Sequence, residues 1–275
     1  MAAIKKNKDE MTFMEHLEDL RWHIIRIVLV IVILSIVFLL YPQFIFDKII
    51  LAPKDSNFIT YRLFCNLGER FNIDGLCYTT LDYKLFYLNL SSPFLLYIKI
   101  AFMAGVIFAF PYILWEIWRF VKPALLSHEK SNLGGAVLIA TLLFYIGAMF
   151  GYFLLAPFSI NFLATFTLSE QIENQFTFDS YLGILTGMVL WTGLIFEIPM
   201  IAYFLAKLGL LGKKFLARNR KYAFVISIIM AAIITPSGDA FSLFLVALPL
   251  WLLYEVSIVV VMVVERKRVK SELTQ

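Results

Sequence analysis

Three carboxylates, Glu15, Glu18 and Asp19, are packed into the segment Phe-Met-Glu-His-Leu-Glu-Asp-Leu-Arg from residue 13 to residue 21, immediately before the first long apolar run. Acids so close together can accept hydrogen bonds from cationic groups, and by residue type alone they also describe a solvated acidic face. Glu197 is of another kind, because it lies inside an apolar run, in Leu-Ile-Phe-Glu-Ile-Pro-Met over residues 194–200. A carboxylate at such depth costs about 2.5 to 3.5 kcal/mol on insertion scales, so it should face protein or water and be neutralised or hydrogen-bonded. Pro199, two residues on, deprives the Ile195 carbonyl of its helical donor and predicts a local kink. Glu129 falls in a short connection and reads as an ordinary loop acid. Glu116 and Glu255 lie near span ends, where solvation at the membrane interface is expected.

Enzyme chemistry finds no support in these residues. His16, His23 and His128 have no Cys or carboxylate at metal-ligand spacing on a helix. Neither a Gly-x-Ser-x-Gly elbow nor a phosphate-cradling loop occurs. The expectation is a protein that is not an enzyme and needs no cofactor, metal or nucleic acid.

The elements that must position these acids are membrane helices. Of the 275 residues 61% are hydrophobic and 16% charged, with a mean hydropathy of +0.81, which leaves too little polar surface to coat a soluble globule. Thr12 followed by Glu15 fits a capping box, so a helix starts at Thr12 and runs on into the first apolar segment. Phe13, Leu17, Leu20 and Ile24 form one apolar row along it, which predicts a helix at the membrane interface with its acids toward water. Apolar runs predict six spans at about 24–41, 93–118, 135–156, 181–206, 222–235 and 240–262, the last two short. Ser92 and Pro93 read as N-cap and first helical residue of the second span, Asp179 as cap of the fourth and Asp239 as cap of the sixth. The chain then reads as one membrane domain, 1–275, with an acidic N-terminal helix (1–23), a long connection (42–92) and a basic tail (265–275).

Charge fixes the expected orientation. Lys and Arg concentrate in the N-terminal segment, in the second-to-third connection (Arg119, Lys122, Lys130), in the fourth-to-fifth (Lys207, Lys213, Lys214, Arg218, Arg220, Lys221) and in the tail (Arg266, Lys267, Arg268, Lys270). The third-to-fourth connection holds Glu170, Glu173 and Asp179 without a basic residue. Both termini, and the acidic helix, are therefore expected in the cytoplasm. The 42–92 connection falls on the exported side and contains both cysteines, Cys65 and Cys77, so a disulfide is expected there.

The order of motifs resembles the TatC family, the multispanning subunit of the twin-arginine protein translocase. The segment 13–21 resembles the family's His-Leu-x-Glu-Leu-Arg motif. The stretch from Phe110 to Glu129, Phe-Tyr-Ile-Gly at 144–147, Phe-Glu-Ile-Pro at 196–199, Arg-Lys-Tyr at 220–222, Thr235-Pro236 and Leu-Pro-Leu at 248–250 follow in family order. The resemblance implies a receptor and scaffold for export of folded proteins, driven by the proton-motive force in the bacterial inner membrane. It implies single-span partner subunits of the TatA and TatB type, paired-arginine signal peptides as ligand, and a homo-oligomeric assembly. Asp19 and Glu129 map to the family's signal-binding acids, with Arg21 and Phe120 beside them, and Glu197 to the glutamate that meets partner subunits on a concave face. Pro53 matches a proline of the first exported loop. Asp19 replaces the family's usual glutamate and is one methylene shorter, so Glu15 or Glu18 is an alternative contact. The competing reading is a proton-coupled small-solute transporter with Glu197 as its proton site, for which midplane polar residues and repeat symmetry are missing.

Overall fold

The computed structural model describes residues 13–55, 57–71, 83–121, 133–167, 169, 174–235 and 240–272. Eleven α-helices are present among them: α1 (Phe13–Leu39), α2 (Pro42–Ile45), α3 (Ile59–Phe71), α4 (Ser92–Val121), α5 (Leu133–Phe150), α6 (Ala156–Thr165), α7 (Phe178–Ile195), α8 (Ile198–Lys207), α9 (Lys213–Arg218), α10 (Arg220–Ile234) and α11 (Ala240–Glu272). The only sheet among the described residues pairs β1 (Leu85–Phe86) in parallel with β2 (Phe176–Thr177). This is an all-α polytopic membrane fold in which, among the described residues, five stretches are long and apolar enough to cross a membrane: 16–39, 92–121, 134–165, 178–207 and 242–267. Helix α10 has 15 residues and rises only about 22 Å, short of a hydrocarbon layer of about 30 Å.

The chain divides into two compact units, one of residues 1–40 with 98–141 and one of 41–97 with 142–275. In the first, α1 runs unbroken from Phe13 and packs along α4. Gly105 permits the close approach, since a Cβ there would come within 2.3 Å of Ser35 Oγ and 3.0 Å of the Ile31 carbonyl oxygen. Phe38 and Phe108 meet nearby, ring centroids 5.0 Å apart. The row of α1 that contacts α4 therefore includes Ile31, Ser35 and Phe38, which lie 7, 11 and 14 residues after Ile24 and continue the expected apolar row toward the C-terminal end of the helix. Leu17 and Ile24 of that expected row are exposed.

In the second unit, the described residues of the 42–92 connection form folded elements. Pro42 opens α2, which continues as a π-helical stretch, Phe46–Ile50, and a 3-10 turn, Ala52–Lys54. Short helices end on carbonyls that lack intrahelical donors, and tyrosines supply them. Tyr152 Oη donates to the Ile49 carbonyl at 2.7 Å, Tyr181 Oη to Ile50 at 2.7 Å and Tyr61 Oη to buried Pro53 at 3.1 Å. Phe58 and Phe64 on this connection pack against Phe153 and Phe158 of the third span. Lys54 Nζ sits 5.3 Å from the centre of the Tyr83 ring, whose hydroxyl burial pushes up to about 12, so it stays neutral at physiological pH. Cys65 is disulfide-bonded; Cys77, the chain's other cysteine, lies outside the described residues.

Several boundaries depart from expectation. The third span is longer than 135–156, because a π-helical stretch, Gly151–Leu155, carries α5 on into α6. Asp179 does not cap the fourth span: Thr177, in extended conformation, accepts a hydrogen bond from the Ser180 amide at 3.2 Å, and Asp179 sits in the first turn, where its charge suits the helix dipole. Ser92 is the first helical residue of α4 rather than its cap. The stretch expected as a short sixth span is long, since α11 continues through the helix-favouring Glu265, Arg266, Lys267 and Arg268 to Glu272. Its expected cap Asp239, together with Pro236 and Thr12, lies outside the described residues. Thr235 is buried, and its hydroxyl donates to the Ala231 carbonyl at 2.7 Å.

Candidate functional site

Two polar sites stand out, one in each unit. The first is built where the N-terminal end of α1 meets the C-terminal end of α4. Phe120 is held between two histidines of α1, stacked on His16 at 4.3 Å and edge-on to His23 at 5.8 Å between ring centroids. One turn back on α4, the side chain of Glu116 is 1% exposed. Its Oε2 is hydrogen-bonded to His23 Nδ1, its Oε1 accepts from Tyr112 Oη at 2.8 Å, and Arg26 Nη1 lies 4.0 Å from Oε2. The expectation of a solvated Glu116 is thus overturned, because three side chains replace water around a carboxylate that the helix packing has enclosed. Glu255 is likewise paired, with Arg220 at 2.9 Å, although a quarter of its side chain remains exposed.

Glu18, Asp19 and Arg21 are exposed along α1 beside this buried cluster. Glu15 belongs to the same helix, with its side chain outside what the structure describes, and Glu129 lies outside the described residues altogether. Phe120 is therefore the one residue of the expected reader seen to join α1 to α4. His23 and Glu116 are 93 positions apart, and nothing in the sequence pairs them. The available signals were local ones: Tyr112 and Glu116 at i, i+4, and His16 and His23 two turns apart on one face.

The second site is Glu197. Helix α7 ends at Ile195 and α8 begins at Ile198 with Pro199 in its first turn, so the expected kink is a break that places Glu197 between two helices. Before the break, the end of α5 and the π-helical stretch that follows it pack closely on α7. A Cβ on Gly151 would come within 2.2 Å of Thr192 Oγ1 and 2.7 Å of the Met188 carbonyl oxygen, and one on Gly147 within 2.6 Å of the Thr192 carbonyl oxygen. Thr192 Oγ1 uses this proximity to donate to the Gly147 carbonyl at 2.9 Å. Glu197 itself is 7% exposed, and its buried Oε1 has no hydrogen-bond donor among the described residues. Buried polar atoms are as a rule hydrogen-bonded, so this unpaired acceptor sets Glu197 apart. Of the remaining expected residues, Pro93 is exposed in the first turn of α4 and borders an open cavity of about 260 Å³ with Pro42, Asp47 and Tyr97. Among the described residues no group of three or more His, Cys, Asp or Glu could hold a metal ion.

Comparison with known proteins bears on the chain as a whole. A family model for Sec-independent protein translocase protein (TatC) matches residues 15–249. The chain is 39% identical over 267 residues to a Sec-independent protein translocase protein TatC of Blattabacterium sp. subsp. Periplaneta americana, covering 96% of this chain and all of that one. It is 34% identical to the protein of that name from Carboxydothermus hydrogenoformans, covering 95% and 97% of the two chains. A crystal structure of a twin-arginine translocase receptor, TatC, superposes with a TM-score of 0.67 at 31% identity, covering 91% of this chain and all of the other.

Proposed function

We propose, since this chain belongs to the TatC family of Sec-independent protein translocase proteins, that it is the signal-peptide receptor and core scaffold of a twin-arginine translocase. The observation that carries the proposal is the match over nearly the full length of relatives bearing that name. The chain is a multi-pass protein of the bacterial inner membrane and is not an enzyme. Its six spans, α10 being the fifth, leave both termini in the cytoplasm, as the distribution of Lys and Arg supports. Asp19 and Glu129 accept the two guanidinium groups of a paired-arginine signal, with Arg21 and Phe120 alongside. Arginine's planar fork engages a carboxylate through two parallel hydrogen bonds, which a lysine ammonium cannot do.

Single-span subunits of the TatA and TatB type dock at Glu197, copies of the chain associate in the assembled complex, and the proton-motive force drives export of folded cargo. Cys65 and Cys77 are bridged on the exported side, which stabilises the 42–92 connection by about 3 kcal/mol on the chain-entropy model. Maleimide labelling of non-reduced protein should leave both cysteines unmodified; quantitative labelling of both would exclude the bridge.

A photo-crosslinking signal peptide tests the receptor role in membranes containing the full-length chain. A peptide with paired arginines should crosslink to this chain, and a paired-lysine peptide should not. Equal crosslinking of the two would remove the receptor assignment.

A further inference from the structure

The receptor role as stated has no use for the buried cluster between α1 and α4. We infer that Glu116 and His23, with Phe120 clasped by His16 and His23, form a latch that fixes the rotation of α1 so that Asp19 is presented to the signal peptide. The inference rests on the receptor reading and names the residues that position its first acid.

Three observations carry it. First, Glu116 is 1% exposed yet surrounded by His23, Tyr112 and Arg26, so it is committed to the contact and not available to a peptide. Second, the contacts of His23 with Glu116 and of both histidines with Phe120 are polar and aromatic contacts of defined direction. Apolar membrane helices can slide and rotate on one another at little cost, whereas directional contacts fix one rotation. Third, the register of α1 places the acids unequally. At about 100° per residue, Asp19 lies roughly 50° from the line through His16 and His23, and Glu18 roughly 150° from it. Asp19 is three residues after His16 and four before His23, so it flanks the α4 seam, while Glu18 faces away. The C-terminal end of α4 leads into the connection that holds Glu129, the second proposed acid. A rotation of α1 by one residue, about 100°, in the sense that turns Asp19 away would carry it to the position Glu18 now holds, facing away from that seam.

Glu116 and His23 are thus positioning residues, which do not touch the ligand. The experiment is a double-mutant cycle on the full-length protein in lipid nanodiscs. It uses a fluorescent paired-arginine signal peptide, and co-purification of partner subunits as the second readout. Glu116→Ala and His23→Ala should each weaken peptide binding by about tenfold, or about 1.4 kcal/mol. The double variant should be no weaker than the worse single one, because both remove the same latch. Glu116→Gln, which keeps an acceptor for Tyr112 and His23, should recover most of the affinity. Partner co-purification should remain as in the unmodified chain, and Asp19→Ala should cost at least tenfold more affinity than Glu18→Ala. Unchanged peptide affinity in the alanine variants would overturn the latch. So would parallel loss of peptide and partners in the Ala and Gln variants alike, since that describes a fold requirement. If the unmodified chain does not prefer paired arginines over paired lysines, the receptor reading itself has failed, and that outcome is separate from a failure of the latch.

Discussion

Replacing Asp19 and Glu129 together by alanine is expected to abolish crosslinking of a paired-arginine signal peptide, with each single replacement leaving a measurable remainder. A charge-assisted hydrogen bond contributes about 1.5 to 3 kcal/mol, and a freely solvated ion pair about 0 to 1 kcal/mol. Asp19 is exposed, so its contact lies toward the lower of these ranges until the bound peptide excludes water. Two such contacts still cannot hold a peptide at micromolar affinity, which needs about 8 kcal/mol. The apolar segment of the signal must supply the rest by packing along the helices. The double variant should therefore lose arginine selectivity before it loses all affinity, with paired-arginine and paired-lysine peptides binding equally weakly. Raising the salt concentration should weaken the unmodified chain toward that same level, because exposed charge contacts are screened within about 10 Å at 0.1 M. Undiminished crosslinking in the double variant would remove both acids from the site. Strong salt dependence combined with indifference to shortening the apolar segment would remove the division of labour.

Much of the fold is legible in the sequence because its signals are local. Apolar runs give the long helices, and Pro199 announces the break between α7 and α8. What escapes is set by contacts between distant residues or by competition between neighbouring caps. Both Thr177 and Asp179 can cap a helix, and only the extended backbone of Thr177 decides between them. The 42–92 connection lacks a long apolar period, so its helical content emerges only when tyrosines from the third and fourth spans satisfy its carbonyls. Glu116 reads as an interfacial acid because its burial depends on His23 and Arg26 arriving from another helix. Asp19 and Glu129 illustrate the same boundary from the other side. Their types suggest cation binding, but pairing residues about 110 positions apart came from the family motif and not from spacing.

Glu197 carries the second large effect: Glu197→Ala should strip partner subunits from the purified complex, while Glu197→Gln should retain most of them. The carboxylate is buried, Oε1 lacks a donor among the described residues, and the helix break at Phe196 and Glu197 sets it between α7 and α8. Leaving such an atom unpaired in a membrane interior costs about 1 to 3 kcal/mol, which a donor from an incoming helix would recover. Hydrogen bonds between membrane helices contribute about 1 to 2 kcal/mol, so loss of this one corresponds to roughly a five- to thirtyfold fall in association. Glutamine keeps a carbonyl acceptor of the same reach, whereas alanine keeps none. The packing of Gly147 and Gly151 on α7 does not involve the carboxylate, so the amount of chain in the membrane should be the same in both variants. Co-purification normalised to that amount reads the effect directly. Equal loss in the Gln and Ala variants would mean that an ionised carboxylate is required, and full retention in the Ala variant would mean that partners dock elsewhere.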